Sequence, residues 1–386
     1  MLPASTNGLL HHAKKNNIEN WLKTIPEDTS PTESQDSGYH SPESLKMALS
    51  VSTVSTPAPS VVSMTPSNAS RKSSPKSSPA QLLQDFPRFN PPIYADGLPT
   101  LPPQVLELRR RLSQEFGKSV IPVEVSSVIM ETALVEASDI PMDAWTTNHG
   151  YSPKDLADLW NAMSQIRQNA IKCWDRNKDK VTWNELVVSK ILRHGVKDDS
   201  LITVMNIQSQ NIDSRVIPTP PDVARLPKRA NYAFALNEDN QNVRNLLTRF
   251  ERQRQDPRVK FGILTTPCTS NTPLISGIEV KPRSADDVEA FVQLSIFLAS
   301  LLTKYQKLSG ENPPPIPGLI VKGHEWKIYL AWYDDERIFV NGPLRNAQAD
   351  TSTLHGIFTL LQLAREISVY GSNVYWPWMN EALNQY

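Results

Sequence analysis

The sequence predicts a mixed α/β fold with a central sheet flanked by helices, and three observations carry that prediction. Helical periodicity dominates from about residue 104 to 193. Short apolar runs bounded by Pro, Asn and Thr then alternate with further helical stretches. A hairpin pattern and one more helix close the chain. Helices, then strands interleaved with helices, is the order that a mixed sheet with packed helices produces.

In chain order, IENWLKTI (18–25) is the first candidate element, a short helix with Ile18, Trp21, Leu22 and Ile25 on one side. A helix that short is marginal in water unless it docks on something. Residues 26–103 are rich in Ser, Thr and Pro and poor in large apolar side chains, so they are expected to be disordered. They carry the pairs Ser30-Pro31, Ser41-Pro42, Thr65-Pro66, Ser74-Pro75 and Ser78-Pro79. Such pairs recur in any Ser/Pro-rich tail; phosphorylation there would add charge to a flexible segment.

Order is expected from Gln104, with helical spacing over Leu106–Phe116 and again over Val125–Val135. Ser152-Pro153 is a helix start, Ser as N-cap and Pro at the first helical position. Leu156, Leu159, Trp160, Met163, Ile166, Ala170, Ile171 and Trp174 then follow at intervals of mostly three and four. A second helix is expected over Val181–Arg193. Strands are expected at Ala230–Leu236, Val259–Leu264 and Leu274–Lys281, with a charged helix at Asn240–Gln253 between the first two. A long helix at Ala285–Leu308 follows. Gly318–Val321, Trp326–Trp332 and Arg337–Val340 read as strands, the last two joined through Asp334-Asp335, and Thr353–Tyr370 as the closing helix. The expected organisation is a tail, 1–103, and one domain, 104–386, with its core at about 150–386.

Composition excludes more than it selects. Lys plus Arg equals Asp plus Glu at 40 each, so nucleic-acid binding would need a local basic patch. Two cysteines, Cys173 and Cys268, make no disulfide framework and have no metal-ligand spacing. No apolar run approaches the ~18–20 residues of a membrane span, and the N-terminus lacks the apolar core of a secretory signal. An intracellular protein, nuclear or cytoplasmic, is expected.

The sequence has no GxxxxGK[ST], GxGxxG, GxSxG or HExxH motif. What remains is Ile278-Glu279-Val280-Lys281 at the end of an apolar strand. Strand alternation puts Glu279 and Lys281 on one face. Alone, that pair reads first as an ordinary same-face ion pair on an exposed strand.

Context adds a resemblance. LPKRANYAFAL (226–236), SGIEVKP (276–282), VTWNELVVSKIL (181–192), GLIVKGHEWKIYLAWYD (318–334) and TSTLHGIFTLLQLA (351–364) resemble, in that order, segments of the PD-(D/E)XK nuclease-like domain proteins found widely in fungi. The resemblance implies a restriction-endonuclease-like core and metal-assisted phosphodiester hydrolysis. It places Glu279 and Lys281 at the catalytic E-x-K, with Mg²⁺ held by carboxylates and the lysine orienting a water. Gln293 on the following helix is a helper by the same resemblance.

Two further positions depart from the family pattern. Asn231 stands where those proteins have a strand acid, and Lys180 where they have a helix glutamate. Asn offers one neutral oxygen and Lys no acceptor at all. Lys180, Asn231, Glu279 and Lys281 together carry one net positive charge, so the metal site is expected to be degenerate. Glu185 is a poor substitute, about 7.5 Å along the axis and roughly 140° around the helix from Lys180. Asp179 would serve as a metal ligand only with an irregular helix start, beside Glu279 and Asn231. The expectation is a pseudoenzyme that binds nucleic acid or a protein partner. The alternative is an active Mg²⁺-dependent nuclease.

Overall fold

The first described element lies inside the stretch expected to be disordered. Ser78 accepts a hydrogen bond from the Gln81 N–H at 3.2 Å and Pro79 follows at the first helical position, so helix α1 runs Pro79–Asp85. Strand β1, Ile93–Tyr94, follows it. Leu82, Phe86, Phe89 and Ile93 are all buried. Among the described residues, ordered structure is therefore present from 78, ahead of Gln104; its few anchors are diluted among Ser, Pro and Asn. The computed structural model describes residues 78–95, 100–132, 134–196, 201–219 and 230–382, all within the unit Lys76–Tyr386. The helix expected at 18–25 and the Ser/Pro-rich stretch up to 77 lie outside the described residues.

Helices α2 (Pro103–Ser113), α3 (Ser126–Thr132) and α4 (Leu134–Asp139) and the short parallel strands β2 (Ile121–Pro122) and β3 (Trp145–Thr146) come next. Helix α5, Pro153–Asp175, opens with a full capping box in which Ser152 and Asp155 satisfy each other's backbone N–H. Helix α6 runs Lys180–Trp183 and Ser189–Gly195, joined by a π-helical turn, Asn184–Val188.

The main sheet takes β4 (Ile202–Asn206), β5 (Tyr232–Leu236), β6 (Gly277–Lys281), β7 (Ile316–Lys322), β8 (Glu325–Asp334), β9 (Arg337–Asn341) and the short β10 (Ala349–Asp350). Its order is β1-β9-β8-β7-β6-β5-β4, with β10 beside β8. The β6–β7 and β1–β9 pairs are parallel and the rest antiparallel, so the sheet is mixed. β8 and β9 turn through Asp335 and Glu336, at φ of 47° and 60°, one residue later than the sequence suggests.

One strand expectation fails, and one strand was not expected. Val259–Leu264 is not a strand: its backbone pairs with nearby loops, Gly262 N–H with Ser270 O and Ile263 O with Asp213 N–H. Only a single bridge, Ile212 to Leu264, survives. The strand at that end of the sheet is β4, which pairs in full register with β5.

Helix α7 (Gln241–Gln253) precedes β6, and α8 (Asp287–Ser309) crosses the sheet. Gly277 and Gly318 let α8 approach closely. A Cβ on Gly277 would lie 2.5 Å from Phe297, and one on Gly318 2.6 Å from Leu298. The sequence showed no apolar run of membrane-spanning length, yet α8 is long and apolar enough by length and composition. Its most apolar window is 78 % buried inside the domain, as befits a central core helix. Helix α9 (Leu354–Tyr370) continues through a π turn, Gly371–Tyr375, into α10 (Trp376–Ala382).

Two predictions follow from this packing. Phe86 is 1 % exposed and meets Phe89 edge-on. Phe86→Ala is expected to cost about 3–5 kcal/mol in urea unfolding, where a tail residue would cost almost nothing. On α8, Lys304 is 8 % exposed, and burial lowers its ammonium to about 8, against the pull of Asp213. Below pH 8 the lysine is charged in both states and the folded state carries the desolvation cost. Above that the folded chain loses its proton first, so stability climbs until the unfolded lysine titrates near 10.5. Lys304→Met is expected to raise stability at pH 7 by up to about 3 kcal/mol and to flatten that climb. Urea titrations between pH 7 and 10.5 read both effects.

Candidate functional site

Among the described residues Glu279 is the one fully buried acid, at 2 % exposure in the middle of β6. Alternation along β6 puts it on the same face as Gly277 and Lys281, the face that α8 covers. Two lysines meet it, and α8 joins the cluster through the second. Lys180, the first residue of α6, donates from Nζ to Glu279 Oε1 at 3.4 Å. Lys281 Nζ lies 3.7 Å from that same oxygen. Lys281 also donates to Oε1 of Glu289 on α8 at 2.8 Å, and Gln293 Nε2 donates to that oxygen at 2.8 Å.

Burial pushes the Glu279 carboxyl above its usual range, opposed first by Lys180 and then by Lys281. Burial likewise lowers the Lys180 ammonium, opposed by Glu279 and reinforced by Lys281. An unpaired buried carboxylate would be far costlier, which is why two cations meet it.

Asn231 sits just before β5, and its side chain does a backbone's work. Oδ1 accepts from the Val280 N–H at 2.9 Å, while its own N–H donates to Ile278 O at 2.8 Å. β5 and β6 share a single registered pair, Tyr232 with Ile278, so Asn231 and Ser276, which accepts from Phe234 N–H at 2.9 Å, complete the seam.

Asp179 is not brought to the cluster; its carboxylate caps α6, accepting from Thr182 N–H at 2.8 Å. Bonds to that helix terminus, Thr182 N–H first, hold it below the usual carboxylate range. Glu185 is exposed within the π turn and makes no contact with the cluster among the described residues.

Glu289 is the residue that sequence reasoning missed. Its signal is the spacing Glu289-x-x-x-Gln293, two polar residues stacked one helical turn apart directly after the E-x-K strand. Asn184 was also missed as a site residue. It is 1 % exposed, donates to Gln208 Oε1 at 3.1 Å, and leaves its own Oδ1 without a partner among the described residues. At the end of β6 the Arg283 guanidinium lies 3.9 Å over the Trp174 ring, and His324 fills the space between Trp174 and Trp183.

A mixed sheet with a parallel β6–β7 pair, a core helix feeding a side chain to an E-x-K strand, and a long helix behind it define a nuclease-like fold. A family model for the PD-(D/E)XK nuclease superfamily matches residues 131–376, and the chain belongs to that superfamily. No curated protein and no solved structure matches it.

The superfamily usually works with Mg²⁺, but the residues gathered here do not fit that ion. Among the described residues no three His, Cys, Asp or Glu side chains come together as a metal-binding group. The buried carboxylate already faces two ammonium groups, and a dication would add a third positive centre within a few ångströms.

The role of Asn231 is directly testable. Asn231→Ala strips the acceptor from a buried N–H and is expected to cost about 1–3 kcal/mol. Asn231→Asp keeps the oxygen but buries a carboxylate at a 3 % exposed position, so its cost should fall as lower pH protonates that group, while the cost of Asn231→Ala should not. Thermal unfolding of the two variants side by side distinguishes a backbone strut from a residue that merely fills space.

Proposed function

We propose that this chain is a PD-(D/E)XK superfamily domain that binds nucleic acid without cutting it. One observation carries the reading: the two lysines meet on the same oxygen of Glu279, so the carboxylate that would bind metal is already neutralised. With Glu289 included, the cluster holds two ammonium and two carboxylate groups and is neutral overall.

What surrounds the cluster supports nucleic acid as the partner. Exposed Arg176 and Lys178 lead into Lys180, and exposed Arg283 follows Lys281 by two residues. Lys190 and Arg193 add exposed charge along α6. Asp175 and Asp179 interleave with these cations, the second tied to the helix terminus. Lys322 and Lys327 are spent on Asp287 and contribute nothing. Phosphate contacts need only positive charge, and the Arg283–Trp174 stack adds a flat surface suited to a base. Such a partner implies a nuclear or cytoplasmic protein.

Mg²⁺-dependent hydrolysis is the competing reading, and Glu289 favours it by bringing a second carboxylate to Lys281. The full-length chain decides between them with labelled DNA and RNA, in Mg²⁺, Mn²⁺ or EDTA. The expected result is binding that EDTA leaves unchanged, with no strand breaks in any buffer. Lys178→Ala and Arg283→Ala should each weaken binding and lower the salt slope by about one. Mg²⁺-dependent cleavage that disappears in Glu279→Ala would make the protein a nuclease. No affinity for any nucleic acid would redirect the search to a protein partner.

A further inference from the structure

We propose that Lys180 is a built-in counter-ion standing where a divalent cation would sit, and that reversing this one charge opens a divalent-cation site. The inference rests on the neutralised-carboxylate reading of Glu279 and not on the nature of the partner.

The oxygens for such a site are already in place. Glu279 and Glu289 each give only Oε1 to the network; among the described residues, neither Oε2 accepts a hydrogen bond. Lys281 bridges the two carboxylates, 3.7 Å from one Oε1 and 2.8 Å from the other. Lys180 alone brings the second ammonium to Glu279, and its side chain is 34 % exposed, so its position opens to solvent. Asp179 is held by the helix terminus and does not compete for the space.

Charge decides the outcome. Two lysines and two carboxylates balance and leave a dication nothing to neutralise. With Lys180→Glu the same positions carry three carboxylates and one lysine, a net charge of minus two. Hard oxygen ligands with room for retained water are what Mg²⁺ and Mn²⁺ take. The new carboxylate would face buried Glu279 directly, so without a cation the two repel and the fold loosens.

The test compares full-length wild type, Lys180→Glu and Lys180→Met by calorimetric melting in EDTA, Mg²⁺ and Mn²⁺, with Mn²⁺ binding followed by titration. Wild type should show the same Tm in all three buffers and bind no Mn²⁺ at this cluster. Lys180→Glu should melt lower in EDTA, bind one Mn²⁺, and regain about 4 °C at a hundredfold excess over Kd. Adding Glu279→Gln to Lys180→Glu should abolish that binding. Lys180→Met should melt lower than wild type in every buffer, because it removes a counter-ion without supplying a ligand. A Lys180→Glu chain that unfolds in EDTA and folds on adding Mn²⁺ supports the proposal equally.

Two results would overturn it. One is wild-type Mn²⁺ binding that Glu279→Gln removes. The other is a Lys180→Glu chain, folded or not, that gains nothing from Mn²⁺. Neither readout depends on whether wild type binds nucleic acid, so the two readings fail separately.

Discussion

The burial of one carboxylate governs the rest of this site. Glu279 lies at 2 % exposure on a central strand, under α8. A charge in that position survives only with opposite charge beside it. The lysine two residues along the same strand is not close enough to do this alone, at 3.7 Å and shared with Glu289. The second cation has to come from another element, and the start of α6 supplies it. Glu279 therefore ties α6 to β6, and Lys281 ties β6 to α8. The polar cluster is thus also a clamp across three elements, which separates its structural value from any chemistry.

The two departures from the nuclease pattern act on different physical terms. At 231 the oxygen is committed to the Val280 N–H, and Asn supplies that acceptor without adding a second buried charge. At 180 the change alters the electrostatics of a buried group, because a carboxylate and an ammonium have opposite effects on Glu279. Asn231 thus holds a strand seam, whereas the residue at 180 gives the buried glutamate its cation.

Much of this was legible in the sequence. Alternation alone places Glu279 and Lys281 on one face of a strand, and the VTWNELVVSKIL (181–192) resemblance brings Lys180 to the start of the core helix. The Ser152-Pro153 cap and the stripe after it define α5. What escaped depends on tertiary context. Glu289 joins the cluster only because α8 crosses β6 at that point, and nothing local records the crossing. The π turn at Asn184–Val188 invalidates a uniform 3.6-residue projection for Glu185, and no composition rule announces such a turn. LITVMN became a strand and VKFGIL a loop because sheet pairing overrode two similar β propensities. The ordered segment before Gln104 was hidden because Leu82, Phe86, Phe89 and Ile93 anchor it from within a Ser/Pro-rich stretch.

On the reading proposed above, the same clamp would let a nuclease fold outlast its metal. Where a site depends on a bound dication, losing the ion leaves its carboxylates to repel one another, and the surrounding elements feel that repulsion. A lysine from the core helix removes the dependence at a stroke: the buried glutamate gains a permanent counter-ion of the right sign and the helix stays docked on the sheet. Stability then no longer requires the ion that chemistry required. Arg176, Lys178 and Arg283 lie outside the neutral network and are not consumed by it, which is what the proposed recognition role requires. On the proposed reading, neutralising the centre while leaving the rim cationic would turn a site arranged around a metal into one arranged around an anion.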